Sequence, residues 1–555
     1  VRAVGYADDT FLHTTGTDPS TMAAAMQESL EKVQKWGEEN GLIFNPSKTT
    51  AVLFTRSKRK IKEPRLQLMG ENINYSENVQ YLGLVINKRL TWSSHLRERL
   101  KKCSQLLNRA RAITGRDWGL TPERILWIYT AMVRPKLTYG ALVWAHAIQG
   151  AVTIKKKLDS LQRGVLIGMS HALRSTPTKA MEVITGLQPL DLHAEEIALN
   201  ARLRTRWLAD TWDGIAHTQR YSTIKGHRQY LDKKLRSLCP IGMPVDQETE
   251  TQHWHTPQVV DVPDVTIYTD GSVINGKASY GWAICEGDAV VDEDTHYLGQ
   301  ASIFQAEVAA ITGSLLWLLS NPHRLKGDQI QLLSDSESAV KAVNANKTKS
   351  KMVRETMELL QKVREKYKIE LLWVKGHSNN TGNEYADALA KLGHSYTQAT
   401  VHPEVPVSGA ALKAAIKAQE DDRWQKEWLS LTECAQTKSL FPEVERARLK
   451  RIRKWTRQNL GKLFQIGTGH GMFAKHLSHW KEIDVTCKLC WEGEESPIHY
   501  WTECPEMASE RHRSYIKLFQ GKAREDVLYH FFQVDQMAAV IHDNEQFLNE
   551  ESRPL

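Results

Sequence analysis

The spacing of apolar residues predicts one long helix between strand-like runs in residues 1–95. Apolar residues of the stretch MAAAMQESLEKVQKWGEENG recur every three or four positions, the period of an amphipathic helix, and Gly41 supplies a stop. These residues are Met22, Met26, Leu30 and Val33. The runs TAVLFT and VQYLGLVIN are rich in β-branched and aromatic residues, which favours strands. We therefore predict an α+β fold for this part.

Residues 96–235 carry a different pattern, in which leucines and basic residues occupy opposite faces of amphipathic helices. Leu96, Leu100 and Leu107 fall on one predicted face, and many Arg and Lys residues fall on the other. The following stretch, CPIGMPVDQETETQHWHTPQ, is polar and contains Pro, which is typical of a linker. We expect a mostly helical region followed by a linker over residues 236–261.

Residues 262–396 alternate strand and helix patterns, as expected of an α/β domain. The strand VTIYTDGS delivers Asp270 before a predicted Gly turn, and YGWAICEGDAVVDEDTHYLG is typical of a hairpin. The helix IFQAEVAAITGSLLWLLS has a predicted packing face of Phe304, Val308, Ile311, Leu315 and Leu318. A second strand, IQLLSDSES, ends at Asp335, and after the strand IELLWV a Gly- and Asn-rich loop bears His377 before a helix that bears Asp387.

Four carboxylates in this domain predict a site for divalent cations. Asp270 and Asp335 come at strand ends, and Glu307 lies in the apolar face of its helix, where an unpaired carboxylate is costly. With Asp387 they would form an oxygen-rich cage suited to Mg²⁺. Two such ions about 4 Å apart can activate water and stabilise the leaving oxygen of a phosphodiester.

The order of these residues is more informative than any one of them. Asp-Gly is usually a turn, a lone helical Glu is usually solvated, and a loop His usually lies at the surface. The series strand Asp, helix Glu, strand-end Asp, loop His and helix Asp is improbable by chance in this architecture. The alternative is a similar fold whose site is catalytically silent.

Residues 262–396 resemble a type 1 ribonuclease H domain through the motifs TDGS, QAE, SDSESA, KGHS and GNEYADALA. The resemblance implies a five-stranded mixed sheet flanked by helices and endonucleolytic hydrolysis of the RNA strand of RNA–DNA hybrids. It also implies two Mg²⁺ ions, for which Mn²⁺ can substitute, and the following catalytic residues: Asp270, Glu307, Asp335 and Asp387 as metal ligands, and His377 on a mobile loop.

This domain departs from the family in three places. Cellular members place asparagines before the helix glutamate to meet the minor groove, whereas this chain has only Gln305 available. Glu337 stands where the family often has Gln, and NANKTKSKM is too short for the Trp-rich basic insertion of some bacterial enzymes. Contacts to RNA 2′-hydroxyls are therefore expected but not assigned to residues.

The first residues resemble the palm motif of reverse transcriptases. YADD supplies Asp8 and Asp9, GLIFNPSKTTAVLF is similar to the family's helix-to-strand region, and VQYLGLVINKRLTW is similar to its primer grip. LWIYTAMVRPKLTYGALVW and STPTKAMEVITGLQPLDL resemble the thumb and connection of non-LTR retrotransposons of the Jockey and I type. The resemblance implies a polymerase remnant that lacks the family's third, upstream carboxylate and its fingers, so we expect no polymerase activity from this chain alone.

Composition narrows the remaining choices. A chain of 555 residues accommodates several domains, and its net charge of +8 suits a polyanionic partner. We find no apolar run of membrane-spanning length and no secretory signal, so we expect no membrane partner. Seven cysteines, three of them clustered, argue for a reducing compartment, and we expect an intracellular protein of the nucleus or cytoplasm. The sequence leaves the oligomeric state open.

The cysteine cluster CKLCWEGEESPIHYWTEC predicts one structural zinc site. Its ligands would be Cys487, Cys490, His499 and Cys504, since three thiolates and one imidazole suit tetrahedral Zn²⁺. The spacing also resembles the C-terminal cysteine–histidine box of the same retrotransposons. Unrelated free cysteines and a redox pair remain alternatives. Three nearby histidines could compete as ligands, although we interpret them as packing or surface residues: His470, His476 and His479.

A basic segment precedes this cluster and predicts a nucleic-acid contact. The stretch RARLKRIRKWTRQNLGK contains no acidic residue and one Trp. Phosphate contacts and stacking would use Arg446, Arg448, Lys450, Arg451, Arg453, Lys454 and Trp455. A solvated helix face is the alternative.

Together these patterns predict a multidomain chain. The predicted parts are a truncated α+β palm (1–95), a helical thumb and connection (96–235), a linker (236–261), a ribonuclease H domain (262–396), and a helical basic C-terminal region (397–555) with the zinc box (487–504). The favoured function is ribonuclease H. The alternatives are a silent nucleic-acid-binding remnant, or part of an RNA-directed DNA polymerase if a longer chain supplies the rest.

Overall fold

The computed structural model divides into two compact units. One contains Val1–Ile197 and Arg423–Leu555, and the other contains Ala198–Asp422. The structure describes residues 1–55, 61–115, 118–148, 151–207, 231, 234–235, 245–246, 251–252, 258–274, 277–299, 301–376, 380–396, 405–533, 537, 540–541 and 543–544.

A five-stranded mixed sheet forms the centre of the second unit. Its strands are β1 (Val265–Ile274), β2 (Lys277–Glu286), β3 (Ala289–Gly299), β4 (Gln329–Ser334) and β5 (Lys368–Trp373). Their order is β3-β2-β1-β4-β5. The pairs β1–β2 and β2–β3 are antiparallel, whereas β1–β4 and β4–β5 are parallel. This arrangement confirms the predicted mixed sheet.

The predicted Gly turn after Asp270 is wrong, because β1 continues through it. Parallel pairing with β4 stops at Thr269, but antiparallel pairing with β2 continues and holds Asp270 opposite Gly281. A Cβ atom at Gly271 would lie 2.7 Å from the backbone nitrogen of Glu307. Gly271 therefore allows a close strand–helix approach, and Asp270 lies where the parallel part of the sheet ends.

Four helices accompany this sheet: α1 (Ile303–Ser320), α2 (Glu337–Val343), α3 (Lys351–Arg364) and α4 (Thr381–Leu392). Helix α1 begins at a capping box in which Ser302 and Gln305 bond each other's backbone N–H groups. Its predicted packing face is confirmed: Val308, Ile311, Leu315 and Leu318 are fully buried, and Phe304 is partly buried. In the described part of the chain, α1 is also the one helix long and apolar enough to cross a membrane, but its buried residues belong to this core.

Segments on both sides of the ribonuclease-like fold pair within the same unit. Val245–Asp246 runs parallel to Val407–Ser408, and Thr251–Gln252 runs antiparallel to Lys347–Thr348. The Asp246 carboxylate accepts hydrogen bonds from the Ser350 hydroxyl and the Met352 backbone at the start of α3. The described parts of the predicted linker are thus bound to this fold.

The first unit is mostly helical. Its strands are short and pair in hairpins or isolated ladders: Arg2–Tyr6, Asp9–His13, Thr50–Ala51, Gln67–Leu68, Glu71–Asn72, Asn74–Tyr75, Asn78–Tyr81 and Leu84–Asn87. Its helices before the sheet domain include Pro19–Glu39, Ser93–Ala112, Pro122–Ile128, Arg134–Thr138, Ala141–Trp144, Val152–Ser170 and Thr178–Thr185. Those after it include Ala435–Leu440, Arg448–Ile452, Arg457–Thr468, Ala474–Leu477, Pro497–Thr502, Ala508–Phe519 and Arg524–Phe531. Two further helices, Leu190–Trp207 and Gly409–Ser430, include the unit boundaries.

Local patterns placed several of these elements correctly. The predicted N-terminal helix is Pro19–Glu39, which is capped by the Asp18 side chain and followed by Gly41 at φ +69°. The run VQYLGLVIN is a hairpin rather than a single strand, because Leu82 and Gly83 both adopt positive φ between its two strands. The predicted leucine face of Ser93–Ala112 is buried.

Helices distant in sequence pack together within the first unit. Arg457–Thr468 contacts Val152–Ser170 and Thr178–Thr185. The Arg457 guanidinium donates a 2.5 Å hydrogen bond to the Gly115 carbonyl, which ties the C-terminal region to the residues after the helix Ser93–Ala112. The ribonuclease-like fold is thus inserted in sequence between two parts of one compact unit.

Candidate active site and metal centres

Three acidic side chains converge near the point where the parallel pairing of the inner strands β1 and β4 ends. One carboxylate oxygen each from Asp270, Glu307 and Asp335 lie within 4.8 Å of one another. Asp270 comes from β1, Glu307 from α1, and Asp335 directly follows β4. Asp270 and Glu307 are each only 5% exposed. The structure therefore brings together three of the four predicted metal ligands.

Burial and repulsion by neighbouring carboxylates raise the pKa values of Asp270 and Glu307. Burial, followed by the charges of Asp335 and Asp387, raises the pKa of Asp270 to about 8. Burial, followed by Asp270 and Asp335, raises the pKa of Glu307 to about 9. The site thus gathers negative charge that protons or a cation must neutralise.

The arrangement fits a divalent cation. The Glu307 Oε2 atom is buried and has no hydrogen-bond partner, which is costly for a carboxylate oxygen. The charges that raise the pKa of Glu307 are those of Asp270 and Asp335, whose oxygens lie within 4.8 Å, so a hard cation would satisfy several oxygens at once. The donor set is all oxygen, which suits Mg²⁺ or Mn²⁺ better than softer metals.

Several neighbours fix Asp335. The Asn383 amide donates a 3.3 Å hydrogen bond to its carboxylate, and the Trp373 indole donates a 2.9 Å bond to its backbone carbonyl. A Cβ atom at Gly376 would lie 2.8 Å from the same carboxylate, so the backbone that follows β5 passes close to Asp335 at this glycine. Sequence reasoning missed the roles of Asn383 and Trp373, although Asn383 lies within the quoted motif GNEYADALA and Trp373 lies within the quoted strand IELLWV.

The three-carboxylate group does not include the other two predicted catalytic residues, Asp387 and His377. Asp387 is not in the three-carboxylate group, and its carboxylate accepts a 2.6 Å bond from Lys391 one helical turn away. It is still close enough to Asp270 to raise the pKa of that carboxyl. His377 lies outside the described residues, so its role stays a prediction.

Gln305 is not available for the RNA contact that the motif suggested. The side chain is 1% exposed, closes the capping box with Ser302, and donates a hydrogen bond to the Pro406 carbonyl. Glu337 is exposed and pairs with Lys341 at 2.5 Å on the first turns of α2. Neither residue joins the carboxylate group among the described residues.

The cysteine cluster forms a second site, in the other unit. One ligand atom each from Cys487, Cys490, His499 and Cys504 lie within 4.8 Å of one another. The Cys487 N–H donates to the Gly493 carbonyl at 2.6 Å, which closes the loop that bears the first two cysteines. A Cβ atom at Gly493 would lie 2.4 Å from the His499 ring, so only Gly fits there.

These four side chains fit Zn²⁺. Burial raises the pKa of Cys490, but hydrogen bonds from the backbone of Glu492 and Gly493 and from His499 outweigh it and lower that pKa to about 6. A thiolate is therefore available near neutral pH, and thiolates are the ligands that zinc prefers. Burial and Cys487 raise the pKa of Cys504 to about 12, so its thiol proton would leave on metal binding.

The three nearby histidines have other contacts. The His476 Nδ1 atom lies 3.0 Å from the Gly471 carbonyl, and its ring contacts the rings of His470 and Trp480. The His479 Nδ1 atom lies 3.1 Å from the Lys475 carbonyl. None of the three belongs to a metal-ligand group in the described part of the chain.

Part of the predicted nucleic-acid segment is occupied by internal ion pairs, which corrects the sequence interpretation. Arg446 pairs with Glu196 at 2.8 Å, and Arg448 is 4% exposed beside the buried Glu525. Arg451 pairs with Glu525 and with Glu445.

The other predicted contacts of this segment differ in exposure. Lys450 and Lys454 are exposed, and Arg453 is exposed but lies 3.6 Å from Glu123. The Trp455 ring packs on Tyr529, with centroids 5.1 Å apart. A nucleic-acid contact through the exposed residues stays a prediction.

Asp8 and Asp9 lie at the tip of an exposed hairpin. Arg2–Tyr6 and Asp9–His13 are antiparallel, and Ala7 and Asp8 make the turn between them. Both aspartates are exposed, and within the described residues neither joins a group of three potential metal ligands. Their part in a polymerase site stays a prediction.

Two separate parts of the chain match known protein families. Residues 263–395 match the family described as RNase H, and residues 1–86 match the family described as reverse transcriptase (RNA-dependent DNA polymerase). A putative 115 kDa protein in type-1 retrotransposable element R1DM of Drosophila melanogaster is 27% identical over 199 residues, which are 36% of this chain and 19% of that protein. Parts of the chain are thus similar to the Pol proteins of type-1 retrotransposable elements. The predicted resemblance to retrotransposon Pol proteins is thereby confirmed.

A second relative and a solved structure are also similar to parts of this chain. The retrovirus-related Pol polyprotein from type-1 retrotransposable element R1 of Nasonia vitripennis is 24% identical over 196 residues, covering 34% of this chain and 58% of that protein. The matches thus span less than two thirds of either relative. RNase H1 from Halobacterium salinarum NRC-1 is 24% identical, with a TM-score of 0.20, and covers 24% of this chain and 97% of its own.

Proposed function

We propose that this chain hydrolyses the RNA strand of RNA–DNA hybrids with divalent cations held by Asp270, Glu307, Asp335 and Asp387. The observation that carries the proposal is the buried carboxylate group, in which one Glu307 oxygen lacks any partner. The ribonuclease H match over residues 263–395 supports the substrate class. Bound cations would activate water and neutralise the leaving oxygen of a phosphodiester.

The chain's own residues would prepare this site in three ways. Asp270 and Glu307 supply buried oxygens whose raised pKa values show that neutralising charge is needed. Asn383 and Trp373 hold Asp335 from its carboxylate and its backbone, which limits its movement. Preorganised ligands need little rearrangement when the cations bind.

A cleavage assay with the full chain tests the proposal. The substrate is an RNA–DNA hybrid labelled on the RNA strand, with Mg²⁺ or Mn²⁺ present. Asp270→Asn and Asp335→Asn should each lower cleavage at least about a hundredfold, because each removes an anionic ligand of the cations. The double variant Asp8→Asn/Asp9→Asn, altered in the other compact unit, is the matched control and should cleave like the parent. Normal cleavage by both single variants would overturn the assignment.

A further inference from the structure

An exposed tryptophan lies next to the carboxylate group. Trp373 is the last residue of β5 and pairs in register with Ser334, the residue before Asp335. Its indole N–H donates a 2.9 Å hydrogen bond to the Asp335 backbone carbonyl. The following residue continues the pairing, because the Val374 N–H donates to the Ser334 carbonyl at 3.0 Å.

Core packing does not account for a large aromatic residue at this position. Residues two apart on a strand share a face, and the earlier members of this row, Ile369 and Leu371, are 0% and 4% exposed. Trp373 is 49% exposed. The hydrogen bond to Asp335 nevertheless fixes the ring, so a rigid apolar surface stands beside the reactive carboxylates.

We propose that Trp373 is a substrate-binding residue whose exposed ring packs on a sugar of the nucleic acid beside the phosphodiester to be cleaved. The inference rests on the proposed ribonuclease function. In a paired hybrid the bases stack on one another inside the duplex, whereas the sugars line the minor groove that a protein meets. The apolar C–H face of a sugar is the part of the hybrid that a fixed indole ring can cover without unstacking a base.

Kinetics of two variants separate ring packing from a purely structural role. Trp373→Ala removes the ring and the N–H donor, whereas Trp373→Phe keeps an apolar ring and loses only the donor. If the ring packs on substrate, KM of Trp373→Ala should be about five- to tenfold higher than KM of Trp373→Phe, since both variants lack the donor and differ in apolar contact area. Trp373→Phe should keep KM within about twofold of the parent.

Binding measured without cleavage makes the test independent of turnover. In the Asp270→Asn background, fluorescence anisotropy of a labelled hybrid should show a Kd about five- to tenfold higher after Trp373→Ala. Trp36→Ala is the matched control, since Trp36 is 53% exposed on the helix Pro19–Glu39, and it should leave Kd unchanged.

Two results would overturn the inference. One is an unchanged Kd after Trp373→Ala. The other is a lower kcat with unchanged KM in both variants, which would mean that Trp373 only positions Asp335. Failure of the proposed function has a different signature, because the parent chain itself would then leave the hybrid intact, while the binding comparison would still decide the role of Trp373.

Discussion

Neutralising Asp270 in the candidate active site should stabilise the metal-free protein while it removes the proposed activity. Asp270 lies 5% exposed among acidic neighbours, and burial and their charges raise its pKa from 3.8 to about 8. In EDTA at pH 7 the folded chain must therefore hold a proton that the unfolded chain releases. Because pH 7 is about three units above the unfolded pKa, and each unit corresponds to about 1.36 kcal/mol, holding this proton costs about 4 kcal/mol of folding free energy. In Asp270→Asn this cost is absent.

The net gain is smaller than this cost, because the new amide is also buried. An unsatisfied amide costs about 2 kcal/mol, so we expect a gain near 2 kcal/mol. Amide hydrogen exchange in β1 and α1 reports the local opening free energy, and it should slow about thirtyfold in EDTA. Asp288→Asn, which alters an exposed turn residue, is the matched control and should change exchange little.

The pH dependence gives the sign of the effect. The folded pKa of Asp270 lies above its unfolded value, so the folded state binds the extra proton and loses stability as pH rises from about 4 to about 8. The advantage of Asp270→Asn should accordingly be small near pH 4 and largest near pH 8. A variant that exchanges faster than the parent in EDTA at pH 7, or an advantage that does not grow with pH, would refute the reasoning.

Three further predictions concern the other unit. Purified chain should contain about one Zn²⁺ by elemental analysis, and Cys490→Ser should lose it; freshly reduced protein without zinc would contradict the site. Trp491→Gly should retain zinc, and in urea denaturation it should be as stable as the parent or up to about 1 kcal/mol more stable. The reason is that Trp491 has φ +62°, a conformation that Gly adopts without strain. A clear loss of stability would count against this account. Glu525→Gln should lower the unfolding free energy by about 3 kcal/mol, since it removes the buried carboxylate that Arg448 and Arg451 share and leaves the buried Arg448 only its ion pair with Glu445. The neighbouring control Asp526→Asn should have little effect, and equal stability of both variants would show that the buried pair is dispensable.

The sequence determined the features that depend on residues close together in the chain. Apolar periodicity located α1 and the helix Pro19–Glu39, because helical geometry returns a side chain to the same face every three or four residues. The order of Asp270, Glu307 and Asp335 indicated a fold whose sheet edge brings them together. The cluster of three cysteines and one histidine was also accessible to sequence reasoning, since all four residues lie within 487–504.

Only the tertiary structure decided what depends on partners distant in sequence. The basic segment has no acid within it, so nothing local revealed that Arg446 and Arg451 pair with Glu196 and Glu525. Asp270 lies within a strand rather than at its end, because pairing with β2 extends β1 past an Asp-Gly sequence that usually turns. Val1–Ile197 and Arg423–Leu555 form one compact unit, although the ribonuclease H domain lies between them in sequence. Long-range packing joins them, and the apolar periodicity of either segment does not reveal it.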